Sequence, residues 1–210
     1  MITDFRFLFP PRPEEKVLPS SLADFDNGEW FAQAKLNGSC AVIGTNGIET
    51  QVRERRGKEF AYFKIKDSEL LNLHTGNVGE WTIVCGEYLN KNKKYIDDKT
   101  FNIKFCVFDI LVQGGNYLIG KSIEERMNLI TDIYKTQEKD QWLSQLSDDI
   151  FVVNSHEMNF KELWDECVKV DLLEGLVIKK KSAKLKRCTK GTANKHFQLK
   201  SRKETKLYNF

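Results

Sequence analysis

The segment Ile103 to Val112 is an almost continuous apolar run broken by one carboxylate, Asp109. Runs of this kind belong to strands buried on both faces, so it predicts a central strand, after which Gly114-Gly115-Asn116 turns the chain. Asp109 is the anomaly in it, since a buried carboxylate needs a partner. Trp30 to Ala34 and Cys40 to Gly44 also read as strands, and Asn46-Gly47 followed by Ile48 to Arg53 predicts a hairpin with a tight turn. Trp81, Ile83, Cys85, Glu87 and Leu89 share one face of a further strand, which points Glu87 where apolar residues point. Ile150 to Val153 and Glu174 to Lys179 add two more, and the 174/176/178 face of the latter carries Glu174. In the last strand His196, Gln198, Lys200 and Arg202 share a face.

Two helices interrupt the strands. Ser122 and Glu125 form a capping box ahead of Ile123, Met127, Ile130 and Tyr134, and Asn159 and Glu162 open a second helix with Phe160, Leu163, Trp164, Cys167 and Val168 on its apolar face. These stripes are core. Residues 1 to 28, with Pro10-Pro11-Arg12-Pro13 and Pro19-Ser20-Ser21, predict an arm extended over the surface, and residues 29 to 210 the folded domain. The 210 residues, 40% hydrophobic and 30% charged, suffice for a sizeable core. No run reaches the length of a membrane span and Met1-Ile-Thr-Asp is not a signal peptide, so a cytoplasmic, non-membrane protein, monomeric, is expected. Cys40, Cys85, Cys106, Cys167 and Cys188 show no paired spacing and read as reduced, mostly buried thiols; His74, His156 and His196 show no metal spacing.

Charge is uneven. Lys179 to Lys206 holds twelve Lys or Arg against Glu204, a balance of +11 within a net charge of +3, which leaves −8 elsewhere. Clustered cations of this kind read either as a solvated tail or loop or as a phosphate-binding surface, and Lys200 and Arg202 within an alternating strand favour the second.

Lys35 lies in Ala34-Lys35-Leu36-Asn37-Gly38, in the expected loop between two strands. An amine that is desolvated or set beside other cations loses its proton more readily and becomes a nucleophile toward carbonyl or phosphoryl centres. Gly38 is expected to let the chain turn sharply and a ligand approach the backbone.

Lys35 is followed, in order, by Arg55-Arg56-Gly57, Gly86-Glu87-Tyr88-Leu89, Phe108-Asp109-Ile110-Leu111, Glu174-Gly175-Leu176-Val177-Ile178-Lys179 and Gln198-Leu199-Lys200-Ser201-Arg202. In that order and spacing they resemble motifs I, Ia, III, IIIa, IV and V of the covalent nucleotidyltransferases, which include ATP-dependent DNA ligases, RNA ligases and mRNA capping enzymes. The resemblance spans residues 30 to 203. Phe108-Asp-Ile-Leu followed by Glu124-Glu125-Arg126 looks most like the DNA ligase branch, and the ending looks like small phage-type ligases.

The resemblance implies an α+β, ATP-grasp-like nucleotidyltransferase domain of antiparallel sheets flanked by helices. It implies an ATP-dependent polynucleotide ligase acting on nicked duplex nucleic acid, DNA rather than RNA, through a lysyl-AMP intermediate. Lys35, Lys200 and Arg202 would be catalytic, the last two lowering the Lys35 pKa. Glu87 would bind the ribose, Phe108 stack on adenine, Arg55 hold a ribose or end phosphate and Lys179 touch the α-phosphate, with Gln33, Lys35 and Lys200 completing the nucleotide site. Glu174, with Glu87, would hold Mg²⁺ or Mn²⁺.

Three positions depart from the family pattern. Where it often has an acid and an arginine after the lysine, this chain has Asn37 and Cys40, and Arg202 replaces the second lysine of motif V. A non-aspartate at position 37 is tolerated by RNA ligases, and an RNA ligase or a non-catalytic nucleotide-binding module are the alternatives. Only Lys203 to Phe210 follow motif V, so no OB-fold domain is expected.

Overall fold

A computed structural model describes residues 4–13, 15–91, 93–95, 100–187 and 197–203. Within them the strands are, in chain order, β1 (Glu15–Lys16), β2 (Trp30–Leu36), β3 (Ser39–Thr45), β4 (Thr50–Glu54), β5 (Thr82–Leu89), β6 (Lys93–Lys94), β7 (Thr100–Phe101), β8 (Lys104–Gln113), β9 (Asn116–Tyr117), β10 (Glu138–Lys139), β11 (Leu143–Gln145), β12 (Ile150–Val153), β13 (Ser155–His156), β14 (Leu173–Lys180) and β15 (Gln198–Arg202). The α-helices are α1 (Asp67–Leu70), α2 (Ile123–Ile133) and α3 (Phe160–Cys167). One sheet runs β1-β15-β14-β2-β13, and the other β10-β11-β12-β8-β5-β3-β4 with β9 on β8. Pairing is antiparallel except for β1 with β15 and β12 with β8, so the mixed sheets and few helices match the expected α+β class. None of the described helices is long and apolar enough to cross a membrane.

The apolar run is the central strand it was expected to be. β8 pairs with β5 and β12, and Phe105, Val107, Ile110, Leu111 and Val112 are fully buried. Asp109 finds its partner in Arg126 of α2. Arg126 Nε donates to Asp109 Oδ1 at 2.8 Å and Nη2 donates to Oδ2 at 2.9 Å, while Nη1 donates to the Lys121 carbonyl. Asp109 Oδ1 also accepts from the Ile110 N–H. Both residues are at most 1% exposed. Bidentate geometry with the remaining donors satisfied is what makes a buried ion pair tolerable.

The helices form where expected, one by a different device. α2 opens on the capping box: Glu125 N–H donates to Ser122 Oγ at 3.1 Å and Ser122 N–H to Glu125 Oε2 at 2.7 Å. α3 has no side-chain cap. Asn159 instead adopts φ 61°, a conformation asparagine tolerates, and its N–H donates to Asp26 Oδ2. Phe160, Leu163, Trp164 and Cys167 are buried, while Val168, past the last turn, is exposed. The β3–β4 turn is also longer than expected. Asn46 Oδ1 accepts from both Ile48 N–H and Glu49 N–H, so the strands close at Thr45 and Thr50 rather than directly after Gly47.

The arm is not simply extended over the surface. Phe5 packs edge-on against Trp81, Pro19–Phe25 forms a 3-10 helix, and its Leu22 is fully buried in the cluster that holds Phe160 and Leu163. Pro10, Pro11 and Pro13 keep that stretch out of helix and Pro19 sits in the first turn of the 3-10 helix, while Phe5 before them and Leu22 after them still seek the core. Cys85, Cys106 and Cys167 are buried free thiols and Cys40 is half-buried; Cys188 and His196 lie outside the described residues.

The Asp109–Arg126 pair generates a prediction. Arg126→Ala leaves a buried, uncompensated carboxylate and is expected to cost about 3–5 kcal/mol in urea unfolding. Asp109→Leu with Arg126→Met, which removes both charges, is expected to recover most of that loss. A double variant no more stable than Arg126→Ala would show that the pair is not the source of the cost.

Candidate active site

Lys35 is the penultimate residue of β2, not part of a loop, because the strand continues through Leu36 and only Asn37 and Gly38 separate it from β3. Lys35 pairs across to Gly175 of β14, and Gly175 to Arg202 of β15. One row across three strands thus brings motifs I, IV and V together. Gln33, Val177 and Lys200 form the next row.

A bulge makes Glu174 part of this face. Strict alternation puts Glu174 with Leu176 and Ile178, which are buried in the core. The register instead shifts between Leu173 and Gly175, and Glu174 lines the same cavity as Val177 and Lys179. Gly175 sits at φ 143°, where any Cβ would collide with the Ser201 carbonyl, so glycine is required beside the bulge. Glu174 Oε2 accepts from Lys35 Nζ at 2.5 Å and from Arg202 Nη2 at 2.7 Å. Among the described residues no hydrogen bond uses its Oε1.

Gly38 lies in the bend between β2 and β3 and lines the cavity, and its surroundings add a second reason for glycine. It has no unusual φ. A Cβ there would strike the Tyr88 carbonyl and crowd Glu87, so glycine lets β3 leave Lys35 against β5. Its N–H donates to Glu87 Oε1 at 3.1 Å. Burial pushes the Glu87 carboxyl up to about 7, against the opposing pull of Lys35.

Lys179 is 3% exposed. Its Nζ donates to Gln33 Oε1 at 2.5 Å and to the Phe108 carbonyl at 3.1 Å, and lies 5.3 Å from the Phe108 ring centre. Gln33 is itself held, its Nε2 donating to the Val153 carbonyl and Ser155 Oγ. Burial lowers the Lys179 ammonium to about 8, with Asp109 opposing and Arg126 reinforcing. Lys200 is lowered too, by burial and then by Arg202, Lys35, Lys16 and Arg12.

All nine candidate residues, Gln33, Lys35, Arg55, Glu87, Phe108, Glu174, Lys179, Lys200 and Arg202, line one cavity of about 820 Å³ between the two sheets. Arg55 reaches it from the exposed turn after β4. Arg12, Phe60 and Tyr62 line it as well and were not anticipated. No periodic pattern marks them, since the first sits in the proline-rich arm and the others in the irregular stretch between β4 and α1.

The set suits a nucleotide: an aromatic edge at Phe108, a buried fixed cation, a cluster of further cations and two inward carboxylates. The carboxylates also suit a divalent metal. Glu87 is desolvated without a full counter-charge and Glu174 has an oxygen to spare, and Mg²⁺ is commonly held by one or two carboxylates together with substrate phosphates. The described residues contain no group of three or more acidic, His or Cys side chains that would hold a metal unaided.

Comparison with known proteins agrees with this geometry. No curated protein matches the sequence. The ligase domain of LigD from M. tuberculosis superposes with a TM-score of 0.67 at 15% identity over 94% of this chain and 61% of that one. A Lig E DNA ligase gives 0.58 at 14% identity over 92% and 69%, and an archaeal ATP-dependent RNA ligase 0.51 at 17% over 91% and 47%. The chain thus spans about three fifths of the LigD ligase domain, and these similarities establish the fold. The family model described as "ATP dependent DNA ligase domain" matches residues 64–196, more than half of the sequence. With that match added to the shared fold and the converging motifs, the chain belongs to the ATP-dependent DNA ligase domain family.

Proposed function

We propose that the protein is an ATP-dependent polynucleotide ligase that seals 5′-phosphate/3′-hydroxyl nicks, in DNA rather than RNA, through a covalent AMP adduct on Lys35. The observation that carries the reading is the convergence of Lys35 and Arg202 on one oxygen of Glu174, within the cavity that Lys200, Phe108 and Lys179 also line. DNA is favoured because the matching family model is that of DNA ligases, although the fold extends to an archaeal RNA ligase. Asn37 is the residue that keeps RNA as the second reading.

In the reaction proposed, Lys35 gives its ammonium proton to the Glu174 carboxylate, which passes it to solvent, and the free amine attacks the α-phosphorus of ATP. The N–P bond forms as the bond to the pyrophosphate oxygen breaks, and pyrophosphate carries away the electron pair. Lys179, held by Gln33 and the Phe108 carbonyl, would meet an α-phosphate oxygen as a fixed cation. Phe108 offers its face to the base, Glu87 its carboxylate to the ribose, and Arg55 a cation to a ribose or end phosphate at the mouth. An oxygen of the 5′-phosphate then attacks the AMP phosphorus as the N–P bond to Lys35 breaks, and the 3′-hydroxyl, losing its proton to solvent, attacks the 5′-phosphorus as AMP leaves. Glu174 and Glu87 would hold a divalent cation, which when bound neutralises phosphate charge.

Label transfer from α-labelled ATP to the denatured protein tests the reading. The unaltered chain is expected to take label from ATP and not GTP, and Lys35→Ala to fall to background while its unfolding free energy changes by no more than about 1 kcal/mol, as for a partly exposed pair. Label on Lys35→Ala would overturn the assignment. Sealing of nicked DNA against nicked RNA by the labelled protein then decides the substrate.

Glu87 predicts a pH dependence. Its carboxyl titrates near 7 when folded and near its ordinary value of 4.5 when unfolded, so the folded state binds the extra proton between these values. Stability therefore falls as pH rises from about 4.5 to about 7, and the cost is full above it. Glu87→Gln is expected to be more stable than the unaltered chain at pH 8 by about 1–2 kcal/mol after allowance for solvent screening, with the gain vanishing toward pH 4. Mg²⁺ is expected to raise the Tm of the unaltered chain and not that of Glu87→Gln. A pH-independent difference between the two proteins, or an equal response to Mg²⁺, would contradict the placement of Glu87.

A further inference from the structure

The proline-rich arm meets the active-site cavity at the strand that carries Lys200. β1 runs parallel to β15 with Lys16 opposite Lys200, and Val17 N–H donates to the Lys200 carbonyl at 3.0 Å. Lys200 Nζ in turn donates to the Pro13 carbonyl at 3.5 Å. Pro11, Arg12 and Pro13 thereby line the cavity together with Lys35, Lys200 and Arg202. Pro10 and Pro11 are buried, and prolines on both sides of Arg12 restrict its backbone, so the guanidinium is presented from a fixed support.

Electrostatics define what belongs there. Eight cationic side chains and three carboxylates line the cavity, and Arg12 is near enough to Lys200 to press on its ammonium along with Arg202, Lys35 and Lys16. An excess of five positive charges facing one cavity draws in an anion with several charges. Sheet order fixes the part of the ligand concerned. Lys35 on β2 attacks, β14 and β15 follow, and the arm lies beyond β15. In-line displacement puts the leaving group on the side of the phosphorus away from the attacking atom.

We propose that Arg12 is a binding residue for the β- and γ-phosphates of ATP, so that the N-terminal arm forms the pyrophosphate end of the nucleotide site. The assignment rests on the ligase reading above. A guanidinium supplies bidentate donors to phosphate oxygens, and one such contact suffices to discriminate ATP from AMP.

The test is calorimetric titration of the full chain with AMP and with the non-transferable α,β-methylene analogue of ATP. Arg12→Ala is expected to weaken the analogue about 10-fold, equivalent to about 1.4 kcal/mol, and AMP less than about twofold. Arg12→Lys is expected to restore part of the loss. Lys16→Ala, which removes the same charge from a residue outside the cavity, is expected to change either ligand less than about twofold. Equal weakening of both ligands by Arg12→Ala would mean that the arm only supports the fold, and an equal effect of Lys16→Ala would mean a diffuse field; either overturns the proposal. Unchanged nucleotide affinity with lost binding of nicked duplex would overturn it in favour of a nucleic-acid contact. These outcomes leave the ligase reading standing, whereas an unaltered chain that takes no label from ATP would remove that reading and this proposal together.

Discussion

The Asp109–Arg126 pair ties the centre of the larger sheet to α2, and the cavity that the candidate residues line depends on it. Burying two charges is expensive, and the structure offsets that cost only through the bidentate contact, the Lys121 carbonyl and the Ile110 N–H acting together. The result is a β8 backbone held in one place at the residue before Asp109. That residue is Phe108, whose carbonyl accepts from Lys179 and whose ring borders the cavity. The pair also sets the electrostatics of Lys179, since Asp109 supports the ammonium and Arg126 opposes it. The positions of the aromatic edge and the buried cation are thus consequences of one buried ion pair.

Much of this could be read from the residue order. The apolar run around Asp109, the capping box of α2 and the nine candidate residues were visible as polar side chains in strand patterns or as family motifs. What escaped reading was whatever depends on pairing rather than on local pattern. Period two placed Glu174 with the core, and only the bulge beside Gly175 turns it toward Lys35. Gly38 was legible as a bend residue, but the Tyr88 carbonyl that excludes a side chain there lies across the sheet. Asp109 announced a missing partner without saying that Arg126, in the next helix, would supply it. Arg12 gave no signal at all, because nothing local to a proline-rich arm says which strand it will lie beside.

The cations of the cavity fall into two kinds. Lys179 is buried, clamped by Gln33 and a backbone carbonyl, and has no room to rearrange. Lys35 and Arg202 share a partly exposed carboxylate oxygen, and pairs in such a setting are worth about 1 kcal/mol or less. An entering phosphate can displace them at little cost, which a buried pair would not permit. On the ligase reading this division matches the chemistry. The fixed cation stands where the AMP moiety stays through the first step. The exchangeable ones stand where the new bond would be made, and a pairing this weak releases Lys35 for it at little cost.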